Sequence, residues 1–191
     1  MEPGVVLVEG ESDRRAVEAL GPRVGLDPTT YRVVAMGGVT NIARHLRELL
    51  TGRDDALVPL VAGLADAGEE HVVARALATV GFGRDLDRWD LEGLGFFSCV
   101  DDLEDELIRA VGAPGVLEVI ERERDLGPFH TLQTQPAHRD RTPEQQLHRF
   151  LGSGAGRKIR YAPLLVKALP ADSVPAPLRG LVEHVGHWAA G

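Results

Sequence analysis

Cysteine, lysine and long apolar runs are scarce in this sequence. The lone cysteine, Cys99, has no second thiol for a disulfide or a thiolate metal site, so we expect it to be a small buried apolar residue. Lysine occurs only at positions 158 and 167, and all other positively charged side chains are arginines, histidine aside. No apolar run approaches the roughly 20 residues of a membrane-spanning helix, and the N-terminus lacks the basic start of a secretory signal. These absences predict a cytoplasmic protein with no membrane partner.

The formal net charge of −8 argues against a protein that binds DNA through a broad basic face, because such binding depends on many phosphate-neutralising cations. The acids concentrate around residues 9–13, 66–70 and 101–106. Such clusters are typical either of solvated helix faces or of a metal site. Bound cations can invert the local field, so an acidic protein can still process an anionic polymer.

The sequence does contain enough apolar residues, 43% of 191, to bury the core of one medium-sized domain. Short apolar runs alternate with apolar stripes of helical spacing. The predicted strands cover residues 5–8, 31–35, 60–64 and 95–100. The predicted helices cover residues 13–20, capped by Ser12 and stopped by Gly21-Pro22, a segment capped by Thr40, a segment from about residue 69, and residues 103–111. This alternation predicts an α/β fold with a mostly parallel four-stranded sheet covered by helices.

The second half of the chain has a weaker pattern. Residues 116–124 are predicted to be helical, whereas residues 126–143 show no steady periodicity and are interpreted as an irregular insertion over the site. Two later apolar stripes predict helices that pack on the edge of the sheet. We therefore expect a core of residues 1–112 and a helical or irregular extension over residues 113–191.

Three of the four predicted strands run directly into acids, namely Glu9, Asp66 and the pair Asp101-Asp102. In open α/β sheets, ligands bind beyond the carboxyl ends of the strands. Carboxylate oxygens suit hard cations such as Mg²⁺. Asp13 lies four residues after Glu9, in the first turn of the following helix, so both carboxylates can face one small volume.

A simpler explanation exists for each acid taken singly. The helix dipole favours acids in the first turn by about 0.3 to 1 kcal/mol, with no function needed. That explanation suffices for Asp13, Glu69 or Asp102 alone. It is weaker for Glu9, because a carboxylate that ends a buried strand is partly desolvated and needs a partner. The helix-dipole explanation is weakest for the set as a whole, because acids follow three of the four predicted strands.

The ordered motifs over residues 8–13, 37–38, 63–68, 101–104 and 156–158 resemble the Toprim (topoisomerase-primase) domain of the OLD-nuclease family. The resemblance implies a Rossmann-like sheet and a short bacterial Toprim protein. It also implies a DNA-cleaving, nicking or endonuclease activity that depends on Mg²⁺ or Mn²⁺, with roles in DNA repair or phage defence.

Residue by residue, the resemblance implies that Glu9 and Asp13 bind or organise metal and that Asp66 is a shared ligand. Asp102 and Glu104 would supply a second metal position. With two cations to clamp the attacking and leaving oxygens, no protein nucleophile is required.

On the same basis, Lys158 would assist catalysis by countering charge that builds on phosphorus. Arg157 and Arg160 beside it are candidate contacts for nucleic-acid phosphates, with a solvated surface as the alternative. DNA is the favoured partner. A separate ATPase subunit and a homodimer are further partner hypotheses, since the larger OLD proteins carry an ATPase half that has no counterpart in this sequence.

The sequence departs from the family pattern in the loop after the third strand. The family has Asp-x-Asp there, whereas here Asp66 is followed two residues later by Gly68, which has no side-chain ligand. Glu69 or Glu70 can substitute, although both also suit the start of a helix. The alternative function is therefore a catalytically weak Toprim module that binds metal, nucleic acid or a partner without turnover, and primase-like nucleotidyl transfer is a third option.

Overall fold

A sheet of four parallel strands forms the centre of the fold. The computed structural model of the chain describes residues 3–50, 60–154 and 156–188. The strands are β1 (Gly4–Val8), β2 (Tyr31–Ala35), β3 (Val61–Asp66) and β4 (Phe96–Cys99). They lie in the order β2-β1-β3-β4, and every neighbouring pair is parallel. The predicted four-stranded α/β fold is confirmed.

Alternating side chains of the strands serve two hydrophobic cores, one on each face of the sheet. Val5 and Leu7 face one core, and Val6 and Val8 face the other. The first face is covered by α2 (Ile42–Leu50), α3 (Glu70–Thr79) and α4 (Arg88–Gly93). The second face carries α1 (Glu11–Arg23), α5 (Leu103–Val111), α6 (Ala113–Arg122), α7 (Leu126–Gln133), α8 (Pro143–Leu151), α9 (Arg157–Ala168) and α10 (Ala176–His187). Cys99 is buried in this second core, as predicted.

The ends of the first two helices differ from the prediction. Helix α1 starts two residues earlier, at Glu11, because Gly10 is its N-cap and the Asp13 carboxylate accepts the Gly10 N–H at 2.8 Å, so Ser12 is not the cap. It also continues past Gly21 to Arg23, since a proline in the last turn removes only one helical hydrogen bond. Thr40 is likewise not a cap: it lies within a 3₁₀ turn, Val39–Asn41, that precedes α2.

The prediction of an irregular insertion over residues 126–143 is wrong for residues 126–133, which form α7, whereas residues 134–142 do lack regular secondary structure. Helix α7 buries Phe129 and Leu132, and the chain becomes helical again at α8, which buries Leu147, Phe150 and Leu151. Because these side chains join the core beside α5 and α6, the segment has the burial that favours helix formation.

The last two helices do not pack on the sheet edge as predicted. Helix α10 covers the face over β3 and β4, where a side chain at Gly180 would place its Cβ 2.4 Å from the ring of Phe97. Helix α9 packs along α1, and Arg23 of α1 donates hydrogen bonds to the carbonyl oxygens of Val166 at 2.6 Å and Lys167 at 2.8 Å. Within the three described ranges, no helix is both long and apolar enough to cross a bilayer.

Candidate metal centre

The sheet order brings the acidic strand ends together. Strand β3 lies between β1 and β4, with Val8 paired to Leu64 and Asp66 paired to Cys99, so the three strands end at one edge. Glu9 therefore follows β1 on one side of Asp66, and Asp102 follows β4 on the other. The convergence expected of parallel strand ends is present.

The glycine pair after β2 fixes the backbone of Glu9. The Glu9 carbonyl accepts hydrogen bonds from the N–H groups of Gly37 at 3.0 Å and Gly38 at 3.1 Å. Both glycines have positive φ, 73° and 117°, in a region that other residues rarely adopt. The Gly-Gly turn therefore holds the end of β1 in place.

Glu9, Asp66 and Glu69 form what we call the first acid cluster. Each offers a carboxylate oxygen, and these oxygens lie within 4.8 Å of one another. Burial, followed by the charge of Glu9, raises the pKa of Asp66 to about 6 and that of Glu69 to about 7. Glu69 Oε2 is buried and has no hydrogen-bond partner among the described residues. Three repelling carboxylates with an unsatisfied oxygen suit a hard divalent cation.

Asp13 lies within electrostatic reach of this cluster. Burial raises its pKa to about 7 against the hydrogen bond from Gly10, and the charges of Glu104, Asp66 and Glu9 raise it further. One of its oxygens already accepts that hydrogen bond. The Asp13 side chain therefore bonds to the backbone of the N-cap residue of α1, and it adds negative charge beside the cluster.

Asp102 and Glu104, at the start of α5, form the second acid cluster. Asp102 Oδ1 accepts the Asp105 N–H at 2.8 Å, which makes Asp102 the N-cap of α5. Asp102 Oδ2 lies 2.8 Å from His148 Nε2 and 3.5 Å from Lys158 Nζ. Lys158 Nζ also donates to Glu104 Oε2 at 3.0 Å.

The basic partners change the electrostatics of this second cluster. Burial acts to raise the pKa of Asp102. The hydrogen bonds from His148 and the Asp105 N–H, with the charge of Lys158, nevertheless lower this pKa to about 2. The same bond raises the pKa of His148. Glu104 and Asp102 raise the pKa of Lys158 against the opposing effect of burial, so Lys158 is positively charged.

Glu104 is the most deeply buried acid of the site, with 4% of its surface exposed. Its Oε2 is bonded to Lys158, but its Oε1 is buried with no hydrogen-bond partner among the residues that the structure describes. A buried unpaired carboxylate oxygen is unstable without a cation or a proton. Together with the free oxygen of Glu69, it indicates that these residues fit a divalent cation.

Three other predicted site residues have partners outside both clusters. Glu70 Oε1 lies 2.9 Å from Arg88 Nε, so Glu69 rather than Glu70 joins the first cluster. Arg157 stacks on Phe150, 4.1 Å from the ring centroid, and donates to the Phe150 carbonyl at 3.0 Å.

Arg160 donates to Asp125 and lies over the ring of Tyr161. Contacts of Arg157 and Arg160 with phosphate stay a prediction.

Sequence reasoning missed His148. The segment Thr142-Pro-Glu-Gln145 carries a capping-box pattern, and in the structure Thr142 and Gln145 cap each other at the start of α8. A helix read from this signal has an apolar stripe of Leu147, Phe150 and Leu151, which leaves His148 on another face. The pattern could have located the helix, but not the distant partner Asp102.

Comparison with known proteins gives matches among solved structures. The C-terminal region of the OLD protein of Xanthomonas campestris pv. campestris is 26% identical, with a TM-score of 0.74 over 99% of this chain and 94% of that chain. A second structure of that region is 28% identical, with a TM-score of 0.71 over 98% and 95% of the two chains. The corresponding region of the Burkholderia pseudomallei OLD protein, at 22% identity and a TM-score of 0.67 over 97% of each chain, shares the fold. No family model and no curated protein sequence matches this chain.

Proposed function

This chain is a Toprim domain of the OLD type, as its motifs predict, and from that premise we propose that it is a divalent-metal-dependent nuclease that cleaves phosphodiester bonds in DNA. The observation that carries the proposal is that Glu9, Asp66 and Glu69 lie together at the edge of the sheet where Lys158 contacts Asp102 and Glu104. Nicking of one strand is the proposed outcome.

The first acid cluster, Glu9, Asp66 and Glu69, would hold the cation, with Asp13 adding negative charge beside it. Mg²⁺ or Mn²⁺ bound there supplies positive charge for the phosphate oxygens and makes a bound water more acidic. Glu9 is a catalytic residue in this scheme, because its carboxylate would contact the cation while the Gly-Gly turn fixes its backbone.

Lys158 is the second proposed catalytic residue. Its ammonium group is held between Glu104 and Asp102, yet 41% of its side chain is exposed, so it remains accessible to a substrate. A fixed positive charge that faces the scissile phosphate stabilises the negative charge that increases during displacement. His148, bonded to Asp102, is a positioning residue for this arrangement.

The extension over residues 113–191 supplies both basic groups, and Arg157 and Arg160 on the same helix as Lys158 are the proposed contacts for neighbouring DNA phosphates. The biological setting that we propose is DNA repair or phage defence in the bacterial cytoplasm. A separate ATPase subunit is the proposed partner.

The direct test is conversion of supercoiled plasmid to nicked circles by the purified chain with Mn²⁺ or Mg²⁺. Glu9→Gln and Lys158→Ala are expected to lose activity, whereas Lys167→Ala, which removes the other lysine of α9, keeps it. We expect more activity with Mn²⁺, because Mg²⁺ demands stricter octahedral geometry from its ligands. If Glu9→Gln and Lys158→Ala cut as fast as the wild type, the proposal is wrong.

A second candidate function rests on Gly68, which stands where the family has the second acid of Asp-x-Asp. With one carboxylate fewer, the chain would be a Toprim module that binds metal or nucleic acid without turnover. Binding of Mn²⁺ without nicking of any plasmid, single-stranded or duplex substrate would favour this alternative.

A further inference from the structure

We infer that the chain binds one resident divalent cation, at the first acid cluster, and that Lys158 with His148 takes the place of a second cation at Asp102 and Glu104. This inference rests on the proposed function and specifies its metal content. It departs from the expectation that Asp102 and Glu104 supply a second metal position.

Both oxygens of Asp102 already accept hydrogen bonds. Its Oδ1 accepts the Asp105 N–H at 2.8 Å, and its Oδ2 is shared by His148 Nε2 at 2.8 Å and Lys158 Nζ at 3.5 Å. A cation that bound Asp102 Oδ2 would have to displace Lys158 and would compete with the hydrogen bond to His148.

The second cluster already has basic partners. Lys158 Nζ lies within 3.5 Å of both Asp102 and Glu104, and His148 Nε2 lies 2.8 Å from Asp102. The first cluster has three carboxylates. The charge of Lys158 reaches Asp66, but the ion pairs of Lys158 are with Asp102 and Glu104. A divalent cation therefore gains far more from the first cluster than from the second.

Glu104 joins the two clusters. Its Oε2 is bonded to Lys158, while its Oε1 is buried and unpaired among the described residues, and its negative charge raises the pKa of both Asp13 and Asp66. We infer that Glu104 Oε1 faces the single cation of the first cluster. The Glu104 carboxylate then lies between that cation and the ammonium group of Lys158, so both positive charges can act on one phosphate.

The test is the number of Mn²⁺ ions bound by the intact metal-free chain, measured by calorimetric titration and by electron paramagnetic resonance. Wild type should bind one Mn²⁺ and show no coupling between neighbouring ions. Lys158→Met removes the ammonium group but keeps an apolar stem, and it should bind two, with the spectrum broadened by coupling. Lys167→Met is the matched control: it removes a charge from the same helix, roughly 14 Å further along by the helical rise, and should bind one.

Two bound ions in the wild type, or a single ion in a folded Lys158→Met, would overturn the inference while leaving a metal-dependent nuclease intact. No bound ion in the wild type would instead remove the proposed function. Asp102→Asn gives a second measurement if Lys158→Met does not fold: it should still bind one Mn²⁺, within about threefold of the wild-type affinity. A tenfold or larger loss of affinity in Asp102→Asn would contradict the inference, because Asp102 would then be a ligand.

Discussion

The two acid clusters lie at the same edge of one sheet, yet they are opposite in charge balance. In the first cluster, Glu69 and Asp66 have pKa values raised to about 7 and about 6, because burial and mutual repulsion disfavour their charged forms. In the second cluster, burial acts to raise the pKa of Asp102, but the hydrogen bonds from His148 and the Asp105 N–H, with the charge of Lys158, lower it to about 2. Among the described residues, basic side chains of α8 and α9 pair with the second cluster and not with the first.

The difference shows that a motif of acids does not by itself define a metal site. Asp66 is the last residue of β3 and Asp102 lies shortly after β4, and both are N-caps of a helical segment. What separates them is the partner that the rest of the chain supplies. Residues after position 112 supply the basic partners of the second cluster, and the proposed cation would take that place at the first.

The largest expected effect comes from removing a charge from the first cluster. Glu69→Gln should lower Mn²⁺ affinity by at least about 100-fold, because loss of even an outer partner of a metal ligand costs roughly 10- to 100-fold. Glu70→Gln is the control, since Glu70 pairs with Arg88 instead. Isothermal titration of both variants gives the answer, and equal affinities would remove the distinction between these adjacent acids.

A smaller effect should follow from loosening the second cluster. His148→Ala should slow plasmid nicking by about tenfold, less than the roughly 100-fold that full misplacement of a reacting group costs, because Asp102 and Lys158 remain in contact. Mn²⁺ affinity should not change. His130→Ala, at an exposed histidine of α7, is the control. A loss of Mn²⁺ binding in His148→Ala would mean that the two clusters are not independent.

The comparison is sharpened by adding a carboxylate to the first cluster. A Cβ at Gly68 would meet no atom within 4 Å, so Gly68→Asp should fold and restore the acid of the family pattern. We expect Mn²⁺ affinity to rise by less than about tenfold and nicking with Mg²⁺ to approach that with Mn²⁺. Gly68→Asn has the same shape without the charge and should leave both unchanged. A Gly68→Asp protein with weaker Mn²⁺ binding would contradict the proposed position of the cation.

The smallest effect is on thermal stability. The pKa of Asp13 and of Glu69 is raised to about 7 in the folded metal-free chain, so the fold retains protons that the unfolded chain releases above about pH 4. The free energy of unfolding should therefore fall as pH rises from 5 to 8. Each kcal/mol corresponds to about 2 to 4 °C in Tm.

Excess Mn²⁺ should cancel this fall, because the cation binds the deprotonated carboxylates. The raised pKa of His148 acts in the same direction, since its contribution is lost as the imidazole deprotonates. Calorimetry of the metal-free chain is the measurement. A Tm that increases between pH 5 and pH 8 would show that these carboxylates are not destabilised by the fold.

The sheet and the strand-end acids could be predicted because they depend on local patterns. Val5 to Val8 form a short apolar run that must be buried, and a parallel sheet brings the residue after each strand to one edge. The family resemblance that the motifs indicated is confirmed. The order of the strands then decides that Asp66 lies between Glu9 and Asp102.

Helices α4 and α7 could not be recognised from periodicity. Helix α4 has six residues, too few for a stripe, and its best signal is the cap that Asp87 forms with Asp90. Helix α7 begins with Leu126-Gly-Pro, which suggests a turn, although proline is tolerated in the first turn of a helix. In both segments, burial of side chains in the core stabilises a helix that the local sequence alone does not predict.

The contacts of Lys158 were equally beyond local pattern. Asp102 and Glu104 are separated from it by 56 and 54 residues, and their meeting depends on how α9 packs against α5. The resemblance predicted that this lysine is catalytic, and that assignment stays a prediction. Its pairing with the second acid cluster follows only from the three-dimensional arrangement.

The hydrogen bonds of Arg23 with the carbonyl end of α9 set the relative direction of two helices. Because α1 and α9 run side by side and finish together at Arg23, both begin beside the acids, where Asp13 and Lys158 occupy their first turns. Each start carries roughly half a positive elementary charge from its peptide dipoles. In a chain with a net charge of −8, this positive contribution to the field comes from the backbone alone, so it persists at any pH at which the chain stays folded.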